Sequence, residues 1–201
     1  MQDSLASYDS LRPGDEQVAT VLPAERAFSP AKPTFHVPAG WLVLANLSDG
    51  CALLHESNST VDGNNVVDLL LARANPIQIE ITEQEIASAD GYPCSVQIRL
   101  WVRLAQDAGD LKSFRSTVLG GKESASAETV RRYLNWHCRR IMTQFAQQYP
   151  AADLADGKGD DTATILLCDR LQPALFAGGL TLYEQPQIQF ECDSLRQIRG
   201  E

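Results

Sequence analysis

The sequence is short of the residues that many chemistries require. It holds three histidines, His36, His55 and His137, at spacings that suggest no shared ligand set. Zinc needs about four converging ligands, and no His/Cys cluster supplies them. Five cysteines (Cys51, Cys94, Cys138, Cys168 and Cys192) are scattered without a C-x-x-C pair. An odd, dispersed set reads as reduced thiols in a cytosolic-type compartment. Basic charge is scarce as well: 17 Lys and Arg against 26 Asp and Glu leave a net charge of −9. That argues against bulk nucleic-acid binding, which needs a basic surface.

Long apolar runs are missing too. The longest candidate, Trp41 to Leu47, is broken by Asn46 and then by Ser48-Asp49-Gly50. It falls well short of the roughly 18 apolar residues a transmembrane helix needs. The opening MQDSLASYDS has no basic n-region and no apolar h-region, so no signal peptide is expected. The triplets Asn46-Leu47-Ser48 and Asn58-Ser59-Thr60 are therefore read as chance glycosylation matches. No G-x-S-x-G elbow occurs. Gly120-Gly121-Lys122-Glu123-Ser124 lacks the leading Gly and the Lys-Ser/Thr order of a phosphate loop.

What is present is patterned as an α+β chain. From Ile77 to Leu104 two alternating runs flank the turn cluster Ser88-Ala89-Asp90-Gly91-Tyr92-Pro93. Ile77, Ile79 and Ile81 share one face of the first run; Val96, Ile98, Leu100, Val102 and Leu104 share one face of the second. Period-two alternation is what a half-buried strand requires, so a long β-ribbon is expected. Upstream, Ser48-Asp49-Gly50 between two apolar runs signals a hairpin, and Asp62-Gly63 a second turn before an extended Val66 to Leu71. Residues 1–36, with Pro13, Pro23, Pro30 and Pro33, read as an irregular N-terminal arm.

After Leu104 the period changes. Asp110 is expected to cap a helix carrying Leu111, Phe114, Val118 and Leu119, stopped by Gly120-Gly121. A longer helix is expected from about Ser126, its N-cap, to Tyr149, with Glu128 in the first turn and Pro150 ending it. Val130, Leu134, Cys138, Ile141 and Phe145 form its apolar stripe. Asp153 to Asp161 reads as a polar loop whose last Asp caps a third helix. That helix is bent or interrupted near Pro173 and closed by Gly178-Gly179. Leu180, Leu182, Ile188, Phe190 and Cys192 suggest one final strand with a bend at Pro186. Strands, then helices, then a strand make an α+β domain of antiparallel hairpins packed with two to three helices.

The order of these phrases resembles the stomatin/prohibitin/flotillin (SPFH, band-7) domain family. Val37-Pro38-Ala39-Gly40 with the strand after it is similar to that family's opening hairpin. Ser88 to Pro93, leading into Val96-Gln97-Ile98-Arg99-Leu100-Trp101-Val102-Arg103-Leu104, is similar to its central phrase. The helix with Arg131, Arg139 and Arg140 sits where the family has an Arg-bearing helix, and Leu171 to Leu180 resembles its closing helix-Gly-Leu-strand unit. The resemblance covers residues 37–195 and leaves 196–201 as a tail. It implies a non-enzymatic oligomerising scaffold with no catalytic residues, metal or cofactor to carry over. It implies self-association as the first partnership, with membrane lipid or a client protein as further partners. Members usually carry an N-terminal anchor and a C-terminal coiled coil, and this chain shows neither. A cytoplasmic chain is therefore expected, with any membrane association carried by segments outside it. A soluble, vault-shoulder-like assembly is a variant of the same reading.

The residues themselves mark one surface. Arg131, Arg132, Asn135, Trp136, Arg139 and Arg140 lie away from the apolar stripe at 100° per residue. Trp136 is four residues from both Arg132 and Arg140, so guanidinium stacking on its ring is expected. An outward Trp among arginines on an acidic chain suits a subunit contact or anionic lipid; the same Trp also suits packing within its own domain. The polar face of the second ribbon strand, with Ser95, Gln97, Arg99, Trp101 and Arg103, is a second candidate contact. Two other classes of function stay open. One is a partner- or ligand-binding module without self-assembly, marked by a discrete apolar pocket. The other is a hydrolase or thiol enzyme using Cys138 or another cysteine, although neighbours such as His137 and Cys138 point about 100° apart on a helix. The acids Asp153, Asp156, Asp160 and Asp161 do not fit a calcium loop and read as a solvated connector.

Overall fold

Ile77 to Leu104 folds as its alternation requires. In the computed structural model, which describes residues 16–192, β7 (Ile77–Ala87) and β8 (Pro93–Leu104) pair antiparallel, with Ile79 opposite Leu100 and Ile81 opposite Ile98. The ladder slips between Glu83 and Ile86, where Glu85 takes a positive φ of 60°. This bulge returns Ile86 to the buried face after one extra residue. Within the turn, the Ser88 hydroxyl donates to Asp90, and Asp90 accepts the Ala151 backbone N–H at 2.9 Å. The turn is thereby fastened to the start of a short helix far along the chain.

The protein is α+β with antiparallel sheets. Residues 17–23, expected within an irregular arm, instead form β1 (Gln17–Pro23), an interior strand. Pro23 sits at its last residue, where a missing N–H is tolerated. A one-turn helix α1 (Ala24–Ala27) follows. Then come β2 (Thr34–His36), β3 (Trp41–Leu47), β4 (Ala52–His55), β5 (Thr60–Asp62) and β6 (Val66–Arg73). The Asp49-Gly50 hairpin joins β3 to β4 as expected. The first sheet runs β4-β3-β6-β1-β9, with β9 (Ser124–Ser126) at one edge, and β2 pairs β5 apart from it. Residues 1–15 of the expected arm, and the tail at 196–201, lie outside the described residues.

β6 reads as a continuous Leu69-Leu70-Leu71-Ala72 run because both faces of its sheet are covered. Leu70 and Ala72 enter the main core with the β7–β8 ribbon, while Leu69 and Leu71 join Phe35, Val37, Val43 and Ala45 in a smaller core on the other face.

The helices follow β8. α2 (Ala108–Phe114) is capped by Asp107, whose carboxylate accepts the Asp110 N–H at 2.8 Å; Asp110 is in the first turn, not at the cap. A π-helical turn over Arg115–Leu119 continues it and ends at Gly120 in the left-handed region. That turn presents Arg115 in a two-pronged pair to Asp68 of β6 at 2.7 and 2.8 Å. α3 (Ala127–Ala146) buries Val130, Leu134, Cys138, Ile141 and Phe145, the stripe read from the sequence. Ser126 precedes it in extended conformation, and its N–H donates to the Thr129 hydroxyl at 3.3 Å.

The structure departs from expectation at several places beyond this point. Part of the supposed loop from 153 to 161 is a short helix, α4 (Ala151–Ala155), which Pro150 precedes. α5 (Asp160–Ala177) starts after Gly159, so Asp161 is in its first turn, and it passes Pro173 without interruption. The final strand is two strands, β10 (Leu180–Leu182) and β11 (Gln187–Glu191), both paired to β8 on the side away from β7. Cys192 then lies across from Cys94, and the two form a disulfide between buried sulfurs. The expectation of five reduced cysteines is therefore corrected for this pair; Cys51, Cys138 and Cys168 are free.

Candidate functional site

α3 rests on β7 through its stripe, and its flanks are claimed by neighbours on either side. Toward α5, the Tyr133 hydroxyl donates to the Ala174 carbonyl at 2.7 Å, and Arg170 donates to Gln144 at 3.0 Å. Toward β7, Asn135 donates to Glu83 at 2.7 Å, and Arg139 lies 3.5 Å from the same carboxylate. Glu83 is buried, and its place on the inner face follows from the Ile77, Ile79, Ile81 alternation. A buried carboxylate is retained only where donors meet it.

Between these flanks lies the outward face. Trp136 is 60% exposed, and the Arg140 guanidinium sits 4.9 Å from its ring centre. His137 meets the ring edge-on at 5.0 Å. Arg132 does not stack as expected. With Arg131 it is drawn to Glu128, one turn back, and the two guanidinium groups hold that carboxyl well below its usual range, at about 2. Asn135 is turned toward β7 and is not part of the outward face. Arg132, Trp136 and Arg140 thus make one basic, aromatic strip, with Arg139, 63% exposed, at its edge beside Glu83.

Arg99, Trp101 and Arg103 are not part of it. They project from the face of β8 opposite Leu100 and Val102, whereas α3 packs on the buried face of the ribbon. Arg99 pairs with Glu80 across the strands at 3.0 Å, and Arg103 lies 5.8 Å from the Tyr183 ring centre. The two sequence-derived patches occupy opposite sides of the sheet.

The structure adds a feature that sequence reasoning missed. An open groove of about 820 Å³ runs between α5 and the β10–β11 segment. Ile165, Phe176 and Tyr183 line it at 67%, 75% and 50% exposure, an unusual concentration of bare apolar side chains. Asp110, Asp169 and Glu184 also line it, and among the described residues no Lys or Arg does. Ile165 and Phe176 fall outside the buried set of α5, which includes Ala163, Leu167, Leu171 and Leu175. That off-stripe placement was the available signal.

Asp110 is held up to about 6, first by its hydrogen bond with Asp107, then by burial and the Asp107 charge. A carboxyl whose folded value exceeds its unfolded one binds more protons when folded, so its contribution to stability falls as pH rises. The window runs from about pH 4 to 6. Asp110→Asn is expected to raise the thermal midpoint at pH 7.5 and leave it nearly unchanged at pH 4.5, which a pair of melting curves checks.

Cys138 is fully buried, and burial, with the Glu83 charge second, pushes its thiol up to about 12. The thiolate is the nucleophilic form, so this sulfur is a core atom. Among the described residues no cluster of three His, Cys, Asp or Glu could hold a metal ion, and no helix is long and apolar enough to cross a membrane. No family model matches the chain, and no curated protein matches it.

Proposed function

We propose that this chain is a non-enzymatic, self-assembling scaffold domain of the stomatin/prohibitin/flotillin type. The observation that carries the reading is Trp136, 60% exposed under Arg140 on the outer face of the longest helix. Trp is highly buried on average, and Trp and Arg are both enriched among the residues that carry binding energy at protein interfaces. The open strand edges of the second sheet compete poorly with this face. Among the described residues β7, eleven residues long, pairs with β8 alone, and the other side of β8 is edged by the short strands β10 and β11. The bulge at Glu83–Ile86 and the charges of Glu80 and Glu85 guard β7 against indiscriminate pairing, which leaves assembly to the helix face.

Cations on a chain of net charge −9 make that face attractive to an acidic surface. A second reading, a partner-binding module without self-assembly, is favoured by the groove of about 820 Å³, whose size suits ligand sites generally.

Size-exclusion chromatography with light scattering separates the two. The chain is expected to elute above monomer mass, and Trp136→Ala with Arg140→Glu to elute as monomer. Its folding free energy should stay within about 0.5 kcal/mol, because both side chains are exposed. An assembly unchanged by the pair of substitutions would overturn the role of this face. Flotation with anionic vesicles is the accompanying check for lipid; binding abolished by the same pair, with a monomeric parent, would assign the face to membrane.

A further inference from the structure

The groove between α5 and β10 has a counterpart on a separate surface of the same molecule. It offers exposed apolar walls, Ile165, Phe176 and Tyr183, among the carboxylates Asp110, Asp169 and Glu184. The α3 strip offers the reverse: one large exposed apolar ring, Trp136, among Arg132, Arg139 and Arg140. Arg140 stacks on the Trp ring, and no ion pair to it, to Asp169 or to Glu184 is found among the described residues. Cations meet acids and ring meets apolar wall, the arrangement that steers and orients an interface.

Their placement decides who can pair with whom. Tyr133 and Gln144 on one flank of α3 turn to α5, while Arg139 and Asn135 on the other turn to β7. The strip therefore faces away from α5. The groove lies beyond α5, where that helix meets β10. A single copy cannot seat its own Trp136 in its own groove, but a second copy can.

We infer that the acidic apolar groove is the docking site for the Trp136 strip of a second copy of this chain, an inference that rests on the self-assembly reading. The contact is heterologous, head to tail. A docked pair still presents one free strip on one copy and one free groove on the other, so the contact propagates into a closed ring or a filament rather than stopping at a dimer. The same pairing explains why three bare apolar side chains gather in one place on an otherwise charged surface.

Two variants and their mixture test it by sedimentation velocity. The strip variant carries Trp136→Ala and Arg140→Glu and keeps its groove. The groove variant carries Phe176→Ser and Asp169→Lys and keeps its strip. Each is expected to be monomeric alone, and the equimolar mixture to form a one-to-one dimer and nothing larger. Asp169→Lys by itself, an exposed change that removes no apolar contact, should weaken assembly about tenfold. If the groove variant assembles like the parent while the strip variant does not, the strip meets another surface, such as its own copy about a two-fold axis. Self-assembly then stands and this inference falls. A mixture that stays monomeric also overturns it. A parent chain that is monomeric throughout overturns both readings together.

Discussion

Replacing Cys94 and Cys192 together by alanine is expected to lower the unfolding free energy by about 3 to 5 kcal/mol. The bond joins residues 98 positions apart, so it restricts nearly half of the unfolded chain. Loop-closure estimates for a loop near that length give about 4.7 kcal/mol, and native-state strain usually trims such values. What the bond holds is specific. β11 is a five-residue strand whose ladder to β8 runs from Gln187–Arg99 to Glu191–Ser95. Phe190 on that strand stacks against Phe145 of α3 at 5.8 Å between ring centres. Without the bond, the strand must hold this end of the sheet by five residues of pairing alone. Urea unfolding checks the prediction: the double variant should lose stability with a somewhat steeper slope, because its unfolded chain is freer to expand, a reductant should reproduce the loss in the parent, and the same reductant should leave the variant unchanged. A midpoint insensitive to both would contradict it.

Gly179→Ala is expected to destabilise by more than about 3 kcal/mol, and to do so far beyond any other left-handed glycine tested. Gly179 has φ of +61°, and an added Cβ would overlap the Asp110 carbonyl oxygen and come within 2.9 Å of the Phe114 backbone nitrogen. Neither neighbour is free to move. Asp110 is in the first turn of α2, and Phe114 is fully buried in the main core. The Gly179 carbonyl also accepts the Ala105 N–H at 3.0 Å, fixing the exit of α5 onto the end of β8. Gly121→Ala is the control. Its φ is +84° but nothing lies within 4 Å of the added carbon, so only the backbone term of about 1 kcal/mol applies. Equal losses at the two positions would show that crowding at Gly179 is not the cause.

Local periodicity made much of this fold legible. The β7–β8 ribbon and the α3 stripe follow from spacings of two and of three to four residues, which need no knowledge of distant partners. The misses share the opposite property. Residues 17–23 carry no strong strand signal of their own; they become a strand because β6 on one side and β9 on the other supply partners. The disulfide depended on the register of β11, since Glu191 opposite Ser95 sets Cys192 opposite Cys94, and no spacing along the chain encodes that.

At the candidate site, Trp136 and Arg140 were placed correctly because i to i+4 stacking is local. Arg132 was misread although its competitor was in view: Glu128 lies four residues before it, and an ion pair displaced the ring contact. That the second candidate face, with Arg99, Trp101 and Arg103, lies across the sheet from the helix strip was not legible, because alternation says which residues share a face of β8, and not which face α3 covers. The groove was invisible because its walls come from α5 and from the turn after β10, which meet only in the folded chain.

The most direct test of self-assembly through a charged, Trp-centred contact is equilibrium sedimentation of the unaltered chain across a hundredfold concentration range, at low and at high salt. The average mass is predicted to climb above that of the monomer with concentration and to fall back as salt screens the arginine–carboxylate attraction. A single monomer mass at every concentration and in both salts would contradict the account.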